Sequence, residues 1–227
     1  MKRHCFFVIC TLLWVLFFSG CPTGPEESPV EDLGSLDGPV TVVPEKTRYF
    51  SLTDGQEVSN PKTTNWDIAF DYNRLIYTNS GDTAKNLGSG GIGGVWCTGE
   101  KSFDAVNSAE GADFSGTFAV DTERYTNPAA EMGAPTLNRI NVITYIGYGE
   151  GNGETGDTAL TDYQYDQQQF YTADLSEMPP TYTLNKWVYI IKHGNGTDHS
   201  KVQIKYMQSI TSTSGNKRIY EVNYKKL

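Results

Sequence analysis

Cysteine is scarce in this 227-residue chain, with only Cys5, Cys10, Cys21 and Cys97. Histidine is scarcer, at three residues, and methionine is limited to four. Positive charge is short as well: 18 Lys and Arg stand against 27 Asp and Glu, for a net charge of −9. A chain this acidic offers no basic stripe for phosphate contacts, which excludes nucleic acid as a partner. No apolar run reaches the roughly 20 residues that a membrane-spanning helix requires. The longest is the 14-residue stretch Cys5–Phe18. No stretch shows a sustained helical period either, so a helical bundle is not expected.

What is present begins with an address. Lys2, Arg3 and His4 precede the apolar stretch, and Ser19-Gly20-Cys21 follows it. A charged start, a short apolar middle and a small-residue end predict an export signal over residues 1–20. Ser19-Gly20-Cys21 resembles the bacterial lipobox, with Phe18 where Leu is usual. The resemblance implies cleavage before Cys21 and acylation of its thiol, which would tether the protein to a membrane. Anchoring by two or more acyl chains is stable because each buried methylene contributes ~0.8 kcal/mol.

Cleavage removes Lys2 and Arg3 and no acid, so the net charge becomes −11. With Cys5 and Cys10 gone and Cys21 acylated, only Cys97 remains in the folded part, and no intramolecular disulfide is expected. Its setting, Gly94-Val95-Trp96-Cys97, predicts a buried inert thiol on a strand. Residues 21–39 are rich in Pro, Gly and acid and read as a flexible acidic tether. Residues 40–227 are expected to form one folded domain.

That domain is rich in Tyr, Thr, Val and Ile and is punctuated by Gly and Asn, which predicts an all-β, mostly antiparallel fold. Strands are expected over 182–191, 201–208 and 218–224, with earlier ones over 67–77, 94–98 and 138–148. The turn His193–His199 joins the first two as a hairpin. Both histidines are expected to be exposed turn residues. A His-x5-His pair lacks the third ligand that a metal site requires. The Gly-rich stretches 88–94 and 147–156 lack the strand-to-helix context of a phosphate cradle and read as loops.

Two stretches carry a family likeness. One is Asn65-Trp66-Asp67-Ile68-Ala69-Phe70, followed by Arg74 and by Thr78-Asn79-Ser80-Gly81. The other runs from Pro180-Thr181-Tyr182-Thr183-Leu184 through Val188–Lys192 to Lys201-Val202-Gln203-Ile204. In this order, after a lipobox and spacer, they resemble the HmuY family of haem-binding bacterial lipoproteins. The resemblance implies a HmuY-like β-sandwich and a haemophore-like role: haem is captured and passed to an outer-membrane receptor, with the protein lipid-anchored at the outer membrane. It also implies two axial ligands on loops between strands.

Axial ligation needs a lone pair on each face of the porphyrin, from imidazole or thioether. The His branch of the family finds no matching positions here. The mature chain has Met132, Met178 and Met207. Met207 shares a strand with Lys205 and reads as a partly exposed packing residue. Met132 and Met178 lie in Pro- or Gly-flanked stretches before strong strands, in the order of the family's ligand loops, and are the candidate haem ligands.

Two rival readings remain. An enzyme is one: Asp67 and Asp71 would share a face of a strand, but no nucleophile–base set is visible, and no enzymatic activity is expected. The other is a surface interaction or adhesion module that binds no haem, for which the many Tyr residues would be suited.

Overall fold

Alternation in the last strands shows how this sequence builds sheet. In Lys217–Lys226, Arg218, Tyr220, Val222 and Tyr224 are buried, and Glu221 between them is exposed. Period-2 burial of this kind places one face of a strand on a core. The computed structural model describes residues 34–36, 38–81, 90–116, 118–126, 136–144, 168–174 and 181–227.

Thirteen strands are present among the described residues, in chain order. They are β1 (Gly34–Ser35), β2 (Val40–Val42), β3 (Thr47–Phe50), β4 (Ile68–Asp71), β5 (Ile76–Thr78) and β6 (Gly94–Cys97). After one 3₁₀ turn at Phe103–Ala105 come β7 (Thr122–Thr126), β8 (Thr136–Ile140), β9 (Tyr171–Asp174) and β10 (Thr181–Leu184). The last are β11 (Val188–Lys192), β12 (His199–Ile210) and β13 (Lys217–Lys226). Every strand pairing is antiparallel. The expected all-β class is the observed one.

The largest sheet runs β1-β13-β12-β11-β6, with β2 also pairing β13. A second sheet runs β3-β4-β5. One core serves both: Phe50, Ile68 and Phe70 of the small sheet join Tyr189, Ile191 and Tyr220 of the large one. Leu33 to Leu227 form a single unit. β11 is buried on both faces, because Val188 and Ile190 face a second cluster with Phe103 and Val106 from the segment after β6. That segment also covers Lys201, whose Nζ donates to the Phe103 carbonyl at 2.8 Å. Lys201 and Gln203, which alternate with the apolar residues of β12, are therefore buried rather than solvated.

Three strand expectations are corrected. Residues 182–191 are two strands in different sheets: β10 pairs β9, and β11 pairs β6 and β12. The break falls at Lys186, whose φ of 56° turns the chain left-handed, and at Asn185, which donates to the Gln169 carbonyl. Residues 67–77 are likewise a hairpin, β4–β5, reversed around Arg74 at φ 65°. Within 138–148 the strand β8 ends at Ile140, and residues 145–148 lie outside the described residues. The 193–199 hairpin is as expected, joining β11 to β12. A register shift between Ile204 and Tyr206 then changes the parity of β12, as a bulge does. Met207 consequently packs against the core, half-buried.

Candidate functional site

The remaining two hairpins, β7–β8 and β9–β10, form small sheets of their own. β7 and β8 pair from Thr122↔Ile140 out to Thr126↔Thr136. β9 and β10 pair from Tyr171↔Leu184 out to Asp174↔Thr181. Met132 falls within the connection 127–135 and Met178 within 175–180. Both candidate ligands lie outside the described residues, as does Cys21.

The roots of both hairpins are described, and they are built from buried polar groups. Asp121, just before β7, has a fully buried side chain 2.8 Å from Arg139 Nη2 on β8. Its carboxylate accepts from Thr78 Oγ1 at 3.0 Å and from Asn141 Nδ2 at 2.6 Å. Arg139 Nη2 in turn donates to the carbonyls of Thr78 and Ser80. Burial lifts the Asp121 carboxyl to about 6, and Arg139, Asn141 and Thr78 pull against that rise. A buried charge is tolerated only when paired and hydrogen-bonded to this degree. The hub fixes the root of β7–β8 against the end of β5.

The second root lies against the first. Phe170 N donates to the Ile143 carbonyl at 2.8 Å, linking the chain just after β8 to the chain just before β9. Asn185 Nδ2 donates to Gln169 O, and the Tyr189 hydroxyl donates to Gln168 O, which fastens β9–β10 to β11. The two connections that carry Met132 and Met178 thus depart from hairpins with a shared base.

The Trp-Asp motif belongs to a different place. Asp67 Oδ2 accepts from Leu52 N at 2.7 Å, and Oδ1 accepts from Gly194 N at 2.9 Å. His193 is 1% exposed, which corrects its reading as an exposed turn residue. Its Nδ1 is 3.4 Å from Asp67 Oδ2, and its Nε2 shares a 2.8 Å hydrogen bond with Ser200 Oγ. Asp, His and Ser in a row have the order of a hydrolase triad. All three are buried, so no substrate reaches the Ser200 oxygen, and the row serves to lock the β11–β12 turn onto β4. Gly194 is required there because a Cβ would collide with Asn79 Nδ2. Asn79 also lies against Gly91 and Gly93, so the first Gly-rich stretch serves close packing. His199 is half-buried beside Phe114.

Two further features of the described residues bear on chemistry. Cys97 is buried, and desolvation pushes its thiol up to about 11, the state of an inert thiol. It lines a cleft of about 80 Å³ with Val95, Trp96 and Val142, far below the roughly 300 Å³ at which ligand pockets begin. The second feature was missed in the sequence: Arg74 and Arg218 lie among Tyr72, Tyr171, Tyr182 and Tyr220. Arg218 is 5% exposed. Its signal was available, because Arg218 has the parity of Tyr220, Val222 and Tyr224, the core-facing set of its strand.

Comparison with known proteins completes the description. Among curated proteins no significant sequence relative is found. Two solved structures resemble the chain at 18% identity and a TM-score of 0.47, each over 82% of this chain. One, matched over 90% of its length, is a Bacteroides vulgatus protein provisionally named HmuY-like and heme-binding. The other, matched over 88%, is a Bacteroides fragilis protein provisionally named a lipoprotein. The profile of the HmuY protein family matches residues 44–224, from just before β3 nearly to the end of β13, and the chain belongs to that family.

Proposed function

We propose that this protein binds haem at the envelope of the cell, held to a membrane by acyl chains on Cys21, and passes it to an outer-membrane receptor. Membership of the HmuY family supports the cargo. The observation that carries the reading is the shared root of the two hairpins, because axial ligation needs two side chains delivered from separate loops to opposite faces of one ring. The donor set fits. His193 is engaged by Asp67 and Ser200, and Met207 packs half-buried against the core. Met132 and Met178 are the remaining thioethers of the mature chain, and in this reading they hold the iron.

Haem bound there supplies iron at a redox poise set by its ligands. The Asp121–Arg139 hub and the Ile143–Phe170 link hold the roots of the two hairpins together, and Met132 and Met178 would hold the ring from the connections beyond them. No side chain is assigned an enzymatic role. A thioether is neutral and soft, so bis-Met ligation favours ferrous over ferric iron.

The test is a titration of the soluble domain with haemin, with and without dithionite, followed by the Soret band. Tighter binding of the reduced form, lost in the Met132→Ala, Met178→Ala double variant, supports the reading. Equal binding in both oxidation states, unaffected by the double substitution, contradicts the ligand assignment. No Soret shift in either state favours an interaction module without haem.

A further inference from the structure

Charge placed in a protein interior is ordinarily matched. Asp121, whose side chain is fully buried, has Arg139 at 2.8 Å. Arg218 is the one buried arginine among the described residues, and no carboxylate among them pairs with it. Its Nε and Nη1 are shielded from solvent and have no hydrogen-bond partner among the described residues; Arg74 Nε and Arg139 Nε are likewise idle, but Arg139 has a carboxylate through its Nη2. Asp71, at the end of β4, accepts instead from Thr47 Oγ1 at 3.2 Å and from the Asn73 amide at 2.7 Å. The Tyr220 hydroxyl donates to the Asp71 carbonyl at 3.2 Å and offers its oxygen to Arg218.

The two guanidiniums act on the same groups. Arg74 stacks 3.9 Å from the centroid of the Tyr182 ring, and Arg218 lies 5.0 Å from that of Tyr72. Tyr171 is 5.7 Å from Tyr182, ring to ring, and Phe170 bridges Tyr171 at 4.6 Å and Tyr220 at 6.4 Å. Both arginine charges reach the Tyr171 and Tyr220 phenols. Burial first, and then repulsion from Arg74, hold the Arg218 guanidinium below its ordinary range. Two like charges, one of them nine-tenths buried with idle donors, are unfavourable in the free protein. The arrangement becomes favourable when an anion enters, because a planar guanidinium fork matches a carboxylate in two parallel hydrogen bonds. Arg74 stacks on Tyr182 through its face, which leaves its edge donors for such a ligand, and Tyr182, 37% exposed, is the member of the cluster nearest solvent.

We infer that Arg74 and Arg218 form a binding site for a carboxylate-bearing ligand, entered past Tyr182 of β10. The carboxylate could be borne by a porphyrin propionate or by a free organic acid. Only the porphyrin source rests on the haem reading; the site itself stands apart from it.

The experiment has two arms. The first follows the thermal unfolding midpoint against malonate concentration, with chloride at equal ionic strength as the control. The proposal expects the midpoint to rise with malonate and not with chloride, as binding to the folded state requires, and to stay flat in Arg74→Gln and in Arg218→Met. Arg218→Met is also expected to raise the midpoint without ligand, because it removes a buried unpaired charge; an ordinary structural arginine would lower it. A midpoint indifferent to malonate, or one that rises equally in the variants, overturns the site. The second arm compares haemin with its dimethyl ester by direct binding. About tenfold weaker binding of the ester, a difference abolished in Arg74→Gln, assigns the carboxylate to the porphyrin. Equal binding of acid and ester overturns that source and leaves the free acid. Failure of both porphyrins to bind, with malonate still stabilising, would sink the haem reading and not the site.

Discussion

Asp67 shows how a single residue can join distant parts of this chain. Its two oxygens accept backbone N–H groups from Leu52 and from Gly194, the latter 127 positions away. Each orphaned buried donor costs about 1–3 kcal/mol, so Asp67→Ala is expected to lose about 3 kcal/mol, read as a lower urea midpoint. The Trp-Asp pair was legible as a motif, but the burial of Asp67 was not, because its partners are fixed only by the tertiary fold. The same blindness hid His193, whose Gly-Asn turn reads locally as solvent-exposed. Burial holds the His193 imidazole below its ordinary range, with Asp67 and Asp198 opposing the shift and Lys226 and His199 adding to it. A ring that protonates less readily when folded stabilises the fold fully above its unfolded value near 6.5, and that contribution fades as pH falls toward the depressed value. Asp121 acts with the opposite sign. Its carboxyl is raised from 3.8 to about 6, so its contribution is present below 3.8 and is lost as pH rises to about 6. His193→Gln is therefore expected to be less stable than wild type near pH 7, with the gap narrowing near pH 5, as measured by chemical unfolding at both values.

At the scale of elements, legibility followed burial pattern. β13 alternates cleanly in burial, and the inner half of β12 alternates apolar and polar residues in sequence although all of them are buried; both strands were readable. β10 and β11 together look like one long strand, because Tyr182, Leu184, Val188 and Ile190 keep the same parity across the break. What divides them is the left-handed backbone at Lys186, which no local residue preference announces. A lysine in that conformation costs about 1–2 kcal/mol, against roughly 0.5–1 for the extra unfolded-state freedom of glycine. Lys186→Gly is thus expected to raise stability by about 0.5 kcal/mol, seen as a higher midpoint with an unchanged denaturant slope. The roots of β7–β8 and β9–β10 were not readable at all. Asp121, Arg139 and Asn141 are polar residues in ordinary-looking strand ends, and only the folded chain brings them to Thr78 and Ser80.

For the whole molecule, the order of motifs along the chain was enough to indicate the HmuY family, which the match over residues 44–224 bears out. The sequence could not show that the connections carrying Met132 and Met178 leave hairpins joined at their base, nor that two arginines without a carboxylate partner among the described residues lie beside the second. Under the proposed haem reading, the described framework joins the roots of both hairpins, beyond which Met132 and Met178 would grip a porphyrin. The most direct test is the Soret titration of the soluble domain with ferric and dithionite-reduced haem, in wild type and in the Met132→Ala, Met178→Ala double variant. The predicted result is a Soret shift in wild type that is stronger for ferrous haem and absent from the double variant. An identical shift in both proteins and both oxidation states would contradict it.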